Sequence, residues 1–153
     1  MPTAETCASI MIADPVTLPD TATVDRAIST LLAGRFHHMP VVDAGGRFVC
    51  LFGVTHVARL LLPRAVTMQG GVGDVTFVHD SLADMAQRLG NLRGKTVREI
   101  GDHDITIVHP DTPLMRGLQL LVRGRSLVPV VERADQRLVG VLAFYGLLAR
   151  LQE

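Results

Sequence analysis

The sequence repeats itself at an interval of ninety residues, and this constrains its fold more than any other feature. Thr6 meets Thr96, Ile10 meets Ile100 and Asp14 meets Asp104. Arg26 meets Arg116, Leu31 meets Leu121, Gly34 meets Gly124 and Arg35 meets Arg125. One residue is then dropped, so Pro40-Val41-Val42 meets Pro129-Val130-Val131. A longer second turn restores the register, and Arg47 meets Arg137. A single compensated gap near a loop or helix end is what a duplicated unit tolerates.

Each copy reads as the same series of elements. In the first, Glu5 to Ile12 suggests a short helix that ends before Pro15, because a residue preceding proline avoids the α region. Val16-Thr17-Leu18 suggests a short strand. Val24, Ala27, Ile28, Leu31 and Leu32 then recur at helical spacing, with Thr21 or Thr23 as cap and Gly34 at the end. Met39 to Val42 is nearly all apolar, which fits a strand buried on both faces. After an Ala44-Gly45-Gly46 turn, Phe48 to Val54 is a third strand, and Thr55 to Leu62 a helix stopped by Pro63. The second copy gives a helix over Thr96–Ile100, a strand over Thr106–Val108 and a helix over Leu114–Val122. Strands over Leu127–Val131 and Leu138–Ala143 and a closing helix over Tyr145–Leu151 follow. Gly117 stands where the first copy has Ala27, at a helix-propensity cost of up to about 1 kcal/mol, which close helix–sheet packing would offset. Between the copies, Gly70-Gly71-Val72-Gly73 reads as a flexible loop, Val75–Val78 as an added strand and Ser81–Leu92 as a helix capped by Asp80 or Ser81. The organisation expected is a first unit at 5–62, a linker at 63–93 and a second unit at 94–152.

Composition excludes several functions. With 15 Lys plus Arg against 15 Asp plus Glu, no global charge points to nucleic acid or an anionic membrane. Folding would have to assemble Arg35, Arg47, Arg123 and Arg125 into a basic stripe, and one Tyr, five Phe and no Trp give little for bases to stack on. No apolar run approaches the roughly 20 residues a membrane span needs, and the first residues lack the basic start and apolar core of a signal peptide. Cys7 and Cys50 form no metal or redox motif, so a cytoplasmic location is expected. Cys50, in an apolar strand, reads as a small core residue.

The tandem order strand, helix, strand, strand, helix, with Pro-Val-Val followed by an acid after each first helix, resembles the cystathionine-β-synthase (CBS) domain pair. The resemblance spans about residues 5–62 and 94–152. It implies an α/β (by some schemes α+β) fold of two β-α-β-β-α units, packed sheet to sheet about a pseudo-two-fold axis as a Bateman module. It further implies clefts between the repeats that take adenosine-type ligands such as AMP, ADP, ATP or S-adenosylmethionine. The ligand-binding positions it implies are Thr17, Leu18, Ile107 and Val108 on the first strands, and His37, His38, Met39 and Pro40 with Leu127, Val128 and Pro129 around the Pro-Val-Val boxes. Thr55 and His56 follow from a third motif: Gly, hydrophobic, any, Thr or Ser, two of any, Asp or Asn. In that motif a hydroxyl meets a phosphate and an acid accepts from ribose hydroxyls. Both copies depart from it. The first has Cys50, Gly53 and His56 at the three key positions; the second keeps Gly140 but has Ala143 and Gly146.

The residues themselves leave the histidines open between ligand contact and a solvated helix end. His37 and His38 would face a phosphate when protonated and a base edge when neutral. Adjacent strand residues point to opposite faces, so the pair is a poor metal site, and the other histidines lack ligand spacing. Arg35 and Arg125 fit an anion contact or a solvated helix end equally. The glycine loop lacks the Lys-Ser or Lys-Thr of a phosphate loop, and no nucleophile–base arrangement can be assembled, so no catalytic residue, required cofactor or metal is expected. Leu60-Leu61-Leu62 and the stripe Leu147, Leu148 and Leu151 exceed what one core face needs and point to a homodimer. The expected function is a stand-alone ligand-sensing regulatory module acting on a partner protein. The alternative is an interaction homodimer that has lost nucleotide binding, with Met39 and Val128 filling the cleft.

Overall fold

The structure is a computed structural model that describes residues 5–63, 79–124 and 127–153. The glycine loop, the expected strand Val75–Val78 and Arg125 lie outside the described residues. The described residues form two three-stranded sheets. The first contains β2 (Leu18–Pro19), β3 (His38–Val42) and β4 (Phe48–Gly53); the second contains β1 (Ile12–Ala13), β5 (Val128–Val131) and β6 (Leu138–Leu142). Parallel strands need a crossover, and α1 (Val24–Gly34) supplies it between β2 and β3. The β3–β4 and β5–β6 pairs are antiparallel hairpins, each with a register shift at its second valine, Val41/Val42 and Val130/Val131. Among the described residues the remaining helices are α2 (Val54–Leu60), α3 (Leu82–Leu92), α4 (Val97–Ile100), α5 (Leu114–Val122) and α6 (Phe144–Leu151).

The ninety-residue register of the sequence is also the symmetry of the fold. Leu18 pairs with Val41 as Val108 pairs with Val130; Ile12 pairs with Val141 as Leu51 pairs with Asp102; Thr6 pairs with Pro113 as Thr23 pairs with Thr96. Arg47 pairs with Arg137 and maps onto itself when the copies are exchanged. The pseudo-two-fold axis therefore passes between the two hairpin turns. They are joined by Phe48 N–H to the Gln136 carbonyl and Leu138 N–H to the Gly46 carbonyl, both at 3.0 Å.

The copies also exchange their leading segments. One core gathers Leu18, Val24, Ala27, Leu31, Met39, Val41, Cys50 and Phe52 of the first copy with Val97 of the second. The other gathers Val108, Leu120, Leu121, Val128, Val130 and Leu142 of the second copy with Cys7 of the first. Each short leading segment thus buries its apolar residue in the opposite core, and full burial of a Val-sized side chain contributes about 1.5–3 kcal/mol. Gly117 shows why this matters: a Cβ there would lie 2.8 Å from both Cys7 Sγ and Leu142 Cδ1. The helix accepts a glycine because the exchanged Cys7 occupies the space.

Several local expectations change. Glu5–Ile12 is not a helix. Only Cys7–Ser9 forms a 3₁₀ turn, because the Cys7 and Ala8 N–H groups bond across the copies to the Thr112 and Pro110 carbonyls, and Ile12 joins a sheet. Thr106–Val108 has a single bridge, at Val108, rather than a full ladder. Val16-Thr17-Leu18 is a strand only from Leu18, running on to Pro19. Gly34 is the last residue of α1, and Arg35 takes the left-handed cap at φ 53°, φ being negative by default for a non-glycine residue. Thr23 caps α1, and Ser81, in a reciprocal capping box with Asp84, caps α3.

Candidate functional site

The first motif region comes together in a cavity of about 190 Å³ between the repeats. One wall is built by His38 at the start of β3, Gly53 at the end of β4, and Thr55, His56 and Arg59 on α2. The residues come together because His38 and Gly53 are cross-strand partners and α2 begins directly after Gly53. The facing wall comes from the second repeat: Asp102, Ile105 and Thr106, then Gly124 and Leu127. Asp102 is delivered there by its bridge to Leu51, the same exchange that moves Val97 into the first core.

The geometry accounts for two of the three motif departures in this copy, those at the hydroxyl and acid positions. At the hydroxyl position, Gly53 has φ −147° and ψ 164°, extended backbone that any residue adopts. Space is what requires glycine. A Cβ there would lie 2.3 Å from His38 Cδ2 and 2.9 Å from His38 Nε2. The His38 imidazole thus fills the place a Ser or Thr side chain would take. At the acid position, His56 Nε2 lies 2.6 Å from the Ile100 carbonyl oxygen, so the ring donates and ties α2 to the end of α4 across the repeats. A carboxylate could not donate there.

The wall chemistry is mixed. Arg59 offers a guanidinium and His38 an imidazole, both suited to an anionic oxygen, while Asp102 offers a carboxylate that accepts from hydroxyls. Burial pushes the His38 imidazole below its usual 6.5; the nearby His37 adds to this and Asp102 opposes it. The unfolded chain therefore takes up the proton first as pH falls. The stability present above pH 6.5 is lost as pH drops from there through the lowered folded value. The urea midpoint is expected to fall on acidification from about pH 7 to about pH 5, and His38→Gln is expected to flatten that limb. An unchanged slope in His38→Gln would assign it to other groups.

The other residues anticipated from sequence are dispersed. Leu18, Met39, Val108 and Val128 are buried within the two cores, and Pro40 and Pro129 are fully buried beside them. His37 is exposed, and its carbonyl accepts from Val54 N–H at 2.9 Å. Thr17 lines a different hollow, with Asp14, Glu132, Asp135 and Arg137. Ile107 is partly buried next to Val108. Of the anticipated residues, His38, Thr55, His56 and Leu127 line the cavity. Sequence reasoning missed Arg59, one helical turn beyond His56 and signalled only by that spacing. It also missed Asp102 and Thr106, whose approach depends on the exchange of segments. Cys50 is buried and its thiol is pushed up to about 12 by desolvation, as suits an inert core residue. Among the described residues no cluster of His, Cys, Asp and Glu could hold a metal, and no helix is long and apolar enough to cross a membrane.

The model of the CBS domain matches this chain twice, at residues 7–63 and 97–153. The chain belongs to the CBS domain family. Proteins that pair two CBS units are regulatory ligand-binding modules, and stand-alone pairs are generally not enzymes. The fold is similar to that of the CBS-pair protein CBSX2 from Arabidopsis thaliana, at 21% identity over 98% of this chain and 96% of that one, with a TM-score of 0.71. CBSX2 in complex with AMP is also similar, at 20% identity over 96% of each chain and a TM-score of 0.68. A conserved hypothetical protein from Geobacillus kaustophilus aligns over 98% of both chains at 18% identity and a TM-score of 0.73. At these identities the likeness is one of fold. No curated protein matches the chain.

Proposed function

We propose that this CBS pair senses an adenosine-type nucleotide in the His38 cavity and thereby controls a partner protein, working as a cytoplasmic homodimer. The observation that carries the reading is that the cavity walls come from different repeats. A ligand that touches both changes the balance between arrangements of the repeats, provided its affinity for them differs. Arg59 and His38 face the phosphate, and Asp102, brought from the second repeat, takes the ribose role that His56 has given up. At about 190 Å³ the cavity is smaller than the roughly 300–1,000 Å³ of a drug-sized pocket, so it holds the phosphate and ribose while the base lies towards its mouth. The AMP complex of CBSX2 supports a nucleotide as the first ligand to test.

AMP at a hundred times its dissociation constant is expected to stabilise the protein by about 2.7 kcal/mol. For a chain of this length that raises Tm by roughly 5–11 °C. Arg59→Ala is expected to abolish most of the shift. No shift at millimolar AMP, ATP or S-adenosylmethionine would overturn the reading.

The homodimer rests on apolar surface along α6, where Phe144, Tyr145, Leu148 and Leu151 are exposed. Leu148→Asp is expected to convert the dimer to a folded monomer in sedimentation velocity. A wild-type chain that sediments as a monomer at tens of micromolar would remove this part of the proposal.

A further inference from the structure

One wall of the cavity carries an imidazole where the motif carries a hydroxyl, and the fold fixes it there. His38 pairs with Gly53 across the β3–β4 hairpin, and a Cβ on Gly53 would lie 2.3 Å from His38 Cδ2. The chain beside it is held by Val54 N–H, which donates to the His37 carbonyl at 2.9 Å. A hydroxyl keeps one charge state between about pH 5 and about pH 8, whereas an imidazole changes its own there. Among the described residues, the titratable and charged groups around the ring come from three places. His37 precedes it on the chain, α2 supplies His56 and Arg59, and the segment after α4 supplies Asp102. The remaining lining residues, on β4 and on the second repeat, are uncharged. His56 is committed to the Ile100 carbonyl at 2.6 Å. Asp102 is held by mutual backbone bonds with Leu51, at 2.8 and 3.1 Å, and its Oδ1 accepts from Asp104 N–H at 3.0 Å.

We infer that the cavity binds its nucleotide together with a proton on His38, so that acidification strengthens binding and the module reads nucleotide and pH jointly. The inference rests on the nucleotide reading above and assigns its regulation. Without ligand, desolvation holds the imidazole below its usual 6.5, with His37 adding to this and Asp102 opposing it, so the ring is neutral at about pH 7. A phosphate in the cavity puts negative charge beside the ring and favours the imidazolium. The bound protein therefore takes up a proton that the empty protein does not hold. The coupling is reciprocal: if the ligand raises the proton affinity of His38 by about tenfold, protonation raises the ligand affinity by the same factor. Arg59 keeps its charge throughout this range, so the pH response belongs to His38 rather than to the guanidinium.

Two measurements on the full chain test this. The first is isothermal titration with AMP from about pH 8 to about pH 6, on wild type and on His38→Gln, whose amide takes up no proton. The phosphate of AMP itself titrates at about pH 6, but it does so for both proteins, so the ratio of their affinities isolates residue 38. That ratio is expected to grow by about tenfold in favour of wild type as the pH falls, the change that corresponds to one unit on the His38 pKa. The second is proton NMR of the His38 ring in the wild-type chain, its signal identified by its loss in His38→Gln. Its titration midpoint is expected to lie at higher pH with AMP bound than without. A constant affinity ratio, or a His38 midpoint that AMP does not raise, overturns the proton linkage while the nucleotide reading stands. No AMP binding at any pH in this range overturns both.

Discussion

Phe52→Ala is expected to destabilise the protein by about 3–5 kcal/mol, the usual cost of truncating a fully buried aromatic. For a chain of this size that lowers Tm by roughly 6–20 °C. Phe52 is completely buried on β4, opposite Met39 on β3, and belongs to the core that also receives Val97. The neighbours that would have to collapse into the hole come from both copies, and the exchanged segment is pinned by backbone bonds, including Val97 N–H to the Ala22 carbonyl at 2.8 Å. Poor relaxation places the cost towards the upper end. Leu32→Ala, at a position 74% exposed on α1, is the control and should stay within about 0.5 kcal/mol of wild type. Urea denaturation of the two variants checks the contrast. A loss below about 1 kcal/mol for Phe52→Ala would mean that the first core repacks freely.

Restoring the family's hydroxyl is expected to damage this protein. Gly53→Ser should cost about 1–3 kcal/mol, because the added Cβ meets the His38 ring and also lies 3.0 Å from the His37 carbonyl oxygen. A serine at the N-cap of α2 gains only a few tenths of a kcal/mol over glycine, too little to offset the clash. The displaced imidazole would also leave the cavity wall, so AMP-induced stabilisation should fall with stability. His38→Ala alone removes the ring and its contact. The double variant His38→Ala/Gly53→Ser should recover most of the lost stability, with a coupling of about 0.5–3 kcal/mol. Additive effects would show that His38 and Gly53 are not a matched pair.

The matched pair explains how far the site could be read from the chain. A motif search sees glycine where a hydroxyl belongs and histidine where an acid belongs, and reports a loss. The departures are linked to side chains elsewhere: Gly53 makes room for His38, and His56 donates to Ile100 of the other copy. The hydrophobic spacing of α1 and α5, the Pro-Val-Val strands and their hairpins were legible because local periodicity and burial agree there. The segment at Glu5–Ile12 was not, since the bonds that hold Glu5, Cys7 and Ala8 go to Leu114, Thr112 and Pro110, more than one hundred positions away.

What the sequence determined by itself is the duplication. The ninety-residue register fixes two like units, their strand and helix order, and the symmetry that relates them, because identical local patterns fold to identical local structures. Only the tertiary structure decided which copy each leading segment serves, and with it the delivery of Asp102 to the His38 cavity. That outcome depends on what meets across the pseudo-two-fold axis: the bridge from Asp102 to Leu51 sets a carboxylate in the wall of a polar cavity, whereas the counterpart pairing puts Ile12 against Val141. These contacts join residues 51 and 129 positions apart and carry no local signature, so only packing brings them together.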